Sequence, residues 1–302
     1  MIEINSVIKK YGSFTAIEDI STTIGKGSII GLVGYNGAGK TTLLKVICGI
    51  LKPEQGAVTF NGEEVFDNTA VKSRIFFVSD DPYYFPQATM KRMAGFYKRY
   101  YSGWNSNMFN KLTEIFSLDP NKRISGFSKG MQRQAFIIIA LSVMPECLLL
   151  DEAFDGIDPM MRDLVRQLLL EAIAERGASV IISSHNLREL EDLCDRVCVI
   201  NDKRIVYDMD IDDMRSNKNK YKVAYSTEID ESTFSSELGI AIKDFKSEGR
   251  VMTFIADGPV DGIKQKLMSK NPLLLETIPL TLEDIFLNEM GAKTYDFSNL
   301  FK

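Results

Sequence analysis

The chain has 302 residues, of which 45% are hydrophobic and 25% charged, an ordinary globular balance that can fill one large domain or two smaller ones. Its net charge of −5 argues against a nucleic-acid binder, which needs a basic excess to meet phosphates.

In chain order, GSIIGLVG (27–34) is a short apolar run ending in glycine and is predicted as a buried strand. KTTLLKVICGIL (40–51) follows as a helix, with Leu43, Leu44, Ile47 and Leu51 at helical spacing and Pro53 just beyond. AVTFNGEEV (57–65) carries the hairpin signal Asn61-Gly62, and RIFFVS (74–79) reads as a strand. Residues 80–145 are rich in aromatics and methionine and are predicted helical. The longest apolar run, AFIIIALSVM (135–144), is about half the ~18 residues of a spanning helix. PECLLL (145–150) is a buried strand running into Asp151 and Glu152. An amphipathic helix over 160–175, a buried strand ASVIISS (178–184), a helix NLRELEDLCDRV (186–197) and a hairpin VCVI-NDKR-IVY complete this part.

Alternating strands and helices imply an α/β fold with a mostly parallel sheet, whose ligands sit at the carboxyl ends of the strands. An N-terminal antiparallel β part and a helical subdomain inserted at about 81–145 belong to the expectation. RSNKNKYK, near 215, reads as a linker. The expected division is therefore 1–215 and a small α+β domain over 216–302. In the latter, KVAYSTEI and RVMTFIAD are predicted strands, and VDGIKQKLMSK and LEDIFLNEM predicted helices. Cys48, Cys147, Cys194 and Cys198 form no C-x-x-C pair, and a single histidine cannot complete a zinc site. They read as small apolar thiols of a reducing cytoplasm. The start, MIEINSVIKKYG, has no apolar signal core.

GYNGAGKT (34–41) fits G-x-x-x-x-G-K-S/T and falls between a predicted strand and a predicted helix, the context this motif requires. Gly34, Asn36, Gly37, Ala38 and Gly39 would curl the backbone so that N–H groups face phosphate oxygens, with Thr42 in the first helical turn. Lys40 would reach the β- and γ-phosphates, and Thr41 would give a hydroxyl to Mg²⁺. The competing reading is a glycine-rich turn. Asp151 is placed to hold Mg²⁺ and Glu152 to polarise a water for attack on the γ-phosphate, the competing reading being helix-capping acids. His185, the only histidine, stands after the strand VIISS on the ligand edge of the sheet, and is either a satisfied core residue or part of that chemistry.

With these motifs in order, residues 1–215 resemble the ATP-binding subunits of ABC transporters. KKYGSFTAI (9–17) is similar to the family's aromatic loop, which implies that Tyr11 stacks on adenine. FSKGM (127–131) is similar to its signature loop, departing at Phe127, Lys129 and Met131. The resemblance implies that Ser128 and Gly130 meet the γ-phosphate held by the opposite subunit. DEAFDGIDP (151–159) resembles the run from catalytic glutamate to D-loop, with Asp158 as the D-loop aspartate. SSHNL (183–187) matches the switch histidine, which assigns His185 to the γ-phosphate. Asp80 stands where the family has a glutamine, and is carried over as a third Mg²⁺ candidate; Gln87 lies seven residues too late. TLEDIFL (281–287) resembles a helix near the end of ABC-2 type exporter subunits.

The resemblance implies an ATPase that binds ATP and Mg²⁺ as a homodimer or heterodimer and drives export through a separate integral membrane permease. The location implied is cytoplasmic, peripheral on the inner face of the cell membrane. The alternative is an ATP-dependent regulatory switch with little turnover, suggested by Asp80 and the divergent signature. The aromatics and cations of 83–109 would mostly form the core of the helical subdomain. Tyr83 to Phe85 would be an exposed surface for a permease helix rather than a nucleic-acid site.

Overall fold

The computed structural model describes residues 1–213, 218–227, 234, 236, 239–278 and 280–284. Its contacts divide the chain into two compact units, Met1–Asp208 and Met209–Lys302.

The first unit opens with the long strands β1 (Ile2–Tyr11) and β2 (Phe14–Ile24), then β3 (Ile29–Val33), helix α1 (Lys40–Ile47), β4 (Gln55–Phe60) and β5 (Glu63–Glu64). A short α2 (Thr69–Lys72) and β6 (Ile75–Val78) precede the helices α3 (Met90–Tyr100), α4 (Ser106–Ile115) and α5 (Lys129–Val143). Then come β7 (Cys147–Asp151), α6 (Pro159–Arg176), β8 (Ser179–Ser184), α7 (Leu187–Glu191), β9 (Arg196–Asn201) and β10 (Arg204–Asp210).

Two sheets share this unit. One is antiparallel, in the order β2-β1-β4-β5; Asn61 and Gly62 both take positive φ in the β4–β5 turn, as the Asn-Gly signal requires. The other runs β10-β9-β3-β8-β7-β6, with β6, β7, β8, β3 and β9 parallel. Every residue of β3, β7 and β8 is buried, the continuous apolar pattern of parallel strands covered on both faces. The last ten residues of α5, Gln134–Val143, are buried as well, so its apolar run is core helix. All four cysteines are buried free thiols, and burial pushes each thiol up and keeps it protonated.

Several boundaries differ from the sequence expectation. The helix expected over 40–51 stops at Ile47, because Gly49 takes φ 69° and its N–H and that of Ile50 turn back to Val46 and Lys45 carbonyls. The helix expected over 186–197 is only five residues. Asp195 exchanges hydrogen bonds with the Ile29 backbone, and Arg196 onward joins β3 as a strand, so sheet pairing overrides the helical apolar spacing.

The second unit holds β11 (Lys218–Ala224), β12 (Ile242–Glu248), β13 (Val251–Asp257), α8 (Val260–Met268) and β14 (Leu274–Ile278), with the antiparallel order β12-β13-β11-β14. Tyr221, Val223, Met252, Phe254 and Leu267 are its fully buried core. The polar stretch expected as a linker already belongs to β11 from Lys218. Its lysines alternate with buried Asn219, Tyr221 and Val223, so a strand period hides under a polar composition. Of the helix expected over 282–290, only Leu282–Asp284 fall among the described residues, and they are helical.

Candidate functional site

The site grows from the end of β3. After Val33 the chain turns through Gly34, Tyr35, Asn36, Gly37 and Ala38, whose N–H donates to the Tyr35 carbonyl at 3.0 Å. Gly39 caps α1 with φ 112°, and a Cβ there would lie 2.6 Å from Ile17 Cγ2 and 2.7 Å from the Ala16 carbonyl. Only glycine fits both the conformation and the space. No side chain caps α1, so its first N–H groups are left for a ligand.

A cavity of about 320 Å³ opens over this loop. It brings together Tyr11, Asn36, Gly37, Gly39, Lys40, Thr41, Thr42, Asp80 and Glu152 of the expected set, with Phe14, Ala16 and Tyr35 beside them. Lys40 is 5% exposed; its ammonium donates to the Gly34 carbonyl at 2.7 Å and pairs with Glu152 Oε1 at 3.3 Å. Tyr11, at the end of β1, and Phe14, at the start of β2, are about half exposed, with the Lys9 ammonium 5.8 Å from the Tyr11 ring centre and that of Lys203 5.0 Å from the Phe14 ring centre.

Asp151 ends β7 below this cavity, 1% exposed. Its Oδ1 accepts from the hydroxyls of Thr41 at 3.1 Å and Ser183 at 2.6 Å. Burial holds the carboxyl above the usual carboxylate range, and the two hydroxyls oppose that shift. A hydroxyl and a carboxylate side by side are a pair of hard oxygen donors of the kind Mg²⁺ takes. Glu152 follows with φ 48°, its N–H bonded to the Ser183 carbonyl and hydroxyl, both at 3.1 Å. Its Oε2 meets His185 Nδ1 at 2.8 Å and accepts the His185 N–H at 3.3 Å. That hydrogen bond raises the His185 pKa above its ordinary value. His185 is half exposed, not a core residue. Lys40, Glu152 and His185 thus form one polar chain, with the Lys40 ammonium on one carboxylate oxygen and the His185 ring on the other.

Ser128, Gly130 and Asp158 do not line this cavity. Ser128 caps α5, accepting the Met131 N–H at 3.2 Å, and Asp158 caps α6, accepting the Met161 N–H at 3.1 Å. Gly130 packs so closely on the 155–157 loop that a Cβ would stand 2.4 Å from the Gly156 carbonyl. Asp80 lines the cavity and is ion-paired with Arg133 of α5.

Sequence reasoning did not single out Phe14, Tyr35, Ser183 or Arg133. Ser183 left a trace: a buried apolar strand keeps two terminal serines only where they are hydrogen-bonded. Arg133 left none, because its partner lies 53 residues away.

Residues 17–155 match the family described as ABC transporter. The chain is 28% identical over 302 residues to the Nod factor export ATP-binding protein I of Burkholderia lata, covering 98% of each chain. It is 33% identical over 200 residues to the ABC transporter ATP-binding protein NatA of Bacillus subtilis, which is 64% of this chain and 80% of that one. A solved ATP-binding subunit of an ABC transporter shares its fold with a TM-score of 0.66 at 26% identity, over 71% of this chain and 92% of the other. With residues 17–155 matching that family and a relative of 33% identity matched over four-fifths of its length, the chain belongs to the ABC transporter ATP-binding proteins, a family of ATPases.

Proposed function

We propose that this chain is the ATP-hydrolysing motor of an exporter: residues 1–215 form the ATPase domain, and 216–302 an accessory domain. The observation that carries the reading is the cavity lined by Lys40, Thr41 and Glu152, with Asp151 hydrogen-bonded to Thr41 and His185 to Glu152 at the carboxyl ends of β7 and β8. Export follows the Nod factor export relative, which aligns along nearly the whole chain.

In this reading the 34–42 loop and the start of α1 cradle the phosphates, and Tyr11 and Phe14 carry the adenine. Thr41 and Asp151 would hold Mg²⁺, which would neutralise developing charge on the phosphates, while Asp80 at the same cavity is taken up by its ion pair with Arg133. The γ-phosphate draws Lys40 and His185 away from Glu152, since a multiply charged phosphate outcompetes one carboxylate for an ammonium and an imidazole N–H. Glu152, released, orients the attacking water and takes its proton, and His185 stays hydrogen-bonded to the γ-phosphate. Two copies, or this chain and a related subunit, close around ATP. Ser128 and Gly130 of each then reach the γ-phosphate held by the other, and Asp158 lies at the seam. Hydrolysis removes those contacts and reopens the pair, so ATP biases the equilibrium through its differential contacts.

The permease, a separate membrane protein, would dock an amphipathic helix on the aromatic surface of the helical subdomain. Tyr83 and Tyr100 are 72% and 65% exposed there, and Tyr83, Phe85, Phe96 and Tyr100 form a continuous chain of ring contacts. Among the described residues no helix is long and apolar enough to cross a membrane, so attachment to the inner face would run through that partner. The test is light scattering of a Glu152→Gln variant with and without Mg-ATP. A doubled mass with ATP supports the reading; an unchanged mass at saturating ATP, alone and with its genomic partner subunit, overturns the dimer.

A further inference from the structure

The Asp80–Arg133 pair joins three segments. Asp80 follows β6 and faces the cavity; Arg133 sits in the second turn of α5, the helix capped by Ser128; and Arg133 also donates to the Asp155 carbonyl in the loop after Glu152. The Arg133 side chain is only 14% exposed, whereas that of Asp80 is 56% exposed. A guanidinium so shielded needs acceptors, and here it has one on each arm of its planar fork. A lysine could match the charge but not both directions at once.

The electrostatics give this arrangement a consequence for ligand binding. A carboxylate at the wall of a phosphate cavity repels a polyphosphate, and the repulsion is strong where protein partly replaces water. The fixed cation on Asp80 removes most of that penalty before any ligand arrives. The same side chain holds the Asp155 carbonyl, so the charge on the cavity wall, the signature helix and the loop after Glu152 are tied at one residue.

We propose that Arg133 is a positioning residue that neutralises Asp80 and, through the Asp155 carbonyl, locks the Ser128-capped helix to the nucleotide cavity. The inference rests on that cavity being the nucleotide site. The test is a double-mutant cycle read as the dissociation constant of a fluorescent, non-hydrolysable ATP analogue with Mg²⁺. Arg133→Gln is expected to weaken binding about tenfold, a loss of ~1.4 kcal/mol, while Asp80 is present. In the Asp80→Asn background the same change is expected to cost less than about twofold, and Arg133→Lys to recover part of the loss in the Asp80 chain. Equal losses in both backgrounds, or no loss from Arg133→Gln, would overturn the proposal. Unfolding midpoints of all variants are followed in parallel. If Arg133→Gln alone does not fold, Arg133→Lys with and without Asp80→Asn completes the same cycle. A Lys40→Ala control separates the two claims: if it binds the analogue normally, the nucleotide-site reading fails, whatever the cycle shows.

Discussion

Ser183→Ala probes how the end of β7 keeps a carboxyl group buried beside Thr41. The hydroxyl donates to Asp151 Oδ1 at 2.6 Å and accepts the Glu152 N–H at 3.1 Å. That N–H has a second acceptor, the Ser183 carbonyl at 3.1 Å, so its loss is covered. Asp151 has no such reserve: Ser183 is fully buried, Asp151 is 1% exposed, and only the weaker Thr41 bond remains. A hydrogen bond to a buried charge is worth about 1.5–3 kcal/mol, so Ser183→Ala is expected to cost about 2 kcal/mol. The cost depends on pH. Burial raises the Asp151 pKa, so in the folded chain the proton stays on above the ~3.9 of an unfolded aspartate. Stability therefore falls as pH rises through that window. The variant, with one donor fewer, loses most where Asp151 is ionised and least at acid pH. Trp104, the only tryptophan, lies between α3 and α4 in the first unit, so its fluorescence follows that unit in urea. In metal-free buffer at pH 8 the midpoint should fall by about 1 M, and the gap should narrow as acid protonates Asp151. A shift below about 0.2 M at pH 8, or a gap that stays constant as pH falls to the unfolded-state value of about 3.9, would show that Ser183 does not hold the Asp151 charge.

His185→Ala should lower ATP turnover at least about tenfold while changing ATP affinity less, a kcat-against-KM split measurable by phosphate release. Equal losses in both would return the residue to a structural role. Gly130→Ala places a methyl 2.4 Å from the Gly156 carbonyl, so the 155–157 loop must shift. A loss of about 1–3 kcal/mol in the Trp104 transition is expected, and an unshifted transition contradicts that packing. Arg74 clamps Glu146 with two bonds, 2.6 and 2.9 Å, and holds its carboxyl below the usual range. Glu146→Gln should therefore cost about 0.5–1 kcal/mol at neutral pH, a cost that vanishes as pH falls through the lowered Glu146 pKa. A pH-independent cost would exclude the charge as its source.

How much of this was legible in the chain depended on whether the signal was local. The glycine-rich turn between β3 and α1, the acids at the end of β7 and the place of His185 after β8 were readable, because strand, turn and helix follow one another within a few residues. The Asn61-Gly62 turn was readable for the same reason. Helix ends were less so. Leu190, Leu193, Cys194 and Val197 have helical spacing, yet Asp195 ties the chain to Ile29, and the sheet takes Val197. The start of β11 was hidden because lysines alternate in sequence with its buried Asn219, Tyr221 and Val223. Long-range pairing was not visible at all: Lys40 on Glu152, Ser183 under Asp151 and Arg133 on Asp80 join residues 112, 32 and 53 positions apart, and nothing in composition encodes those distances.

The most direct test is steady-state Mg-ATP hydrolysis by the purified full chain, measured beside Lys40→Ala and Glu152→Gln. Turnover is expected in the unaltered chain, loss of both binding and turnover in Lys40→Ala, and loss of turnover with ATP still bound in Glu152→Gln. Hydrolysis that persists undiminished in Glu152→Gln would contradict this reading.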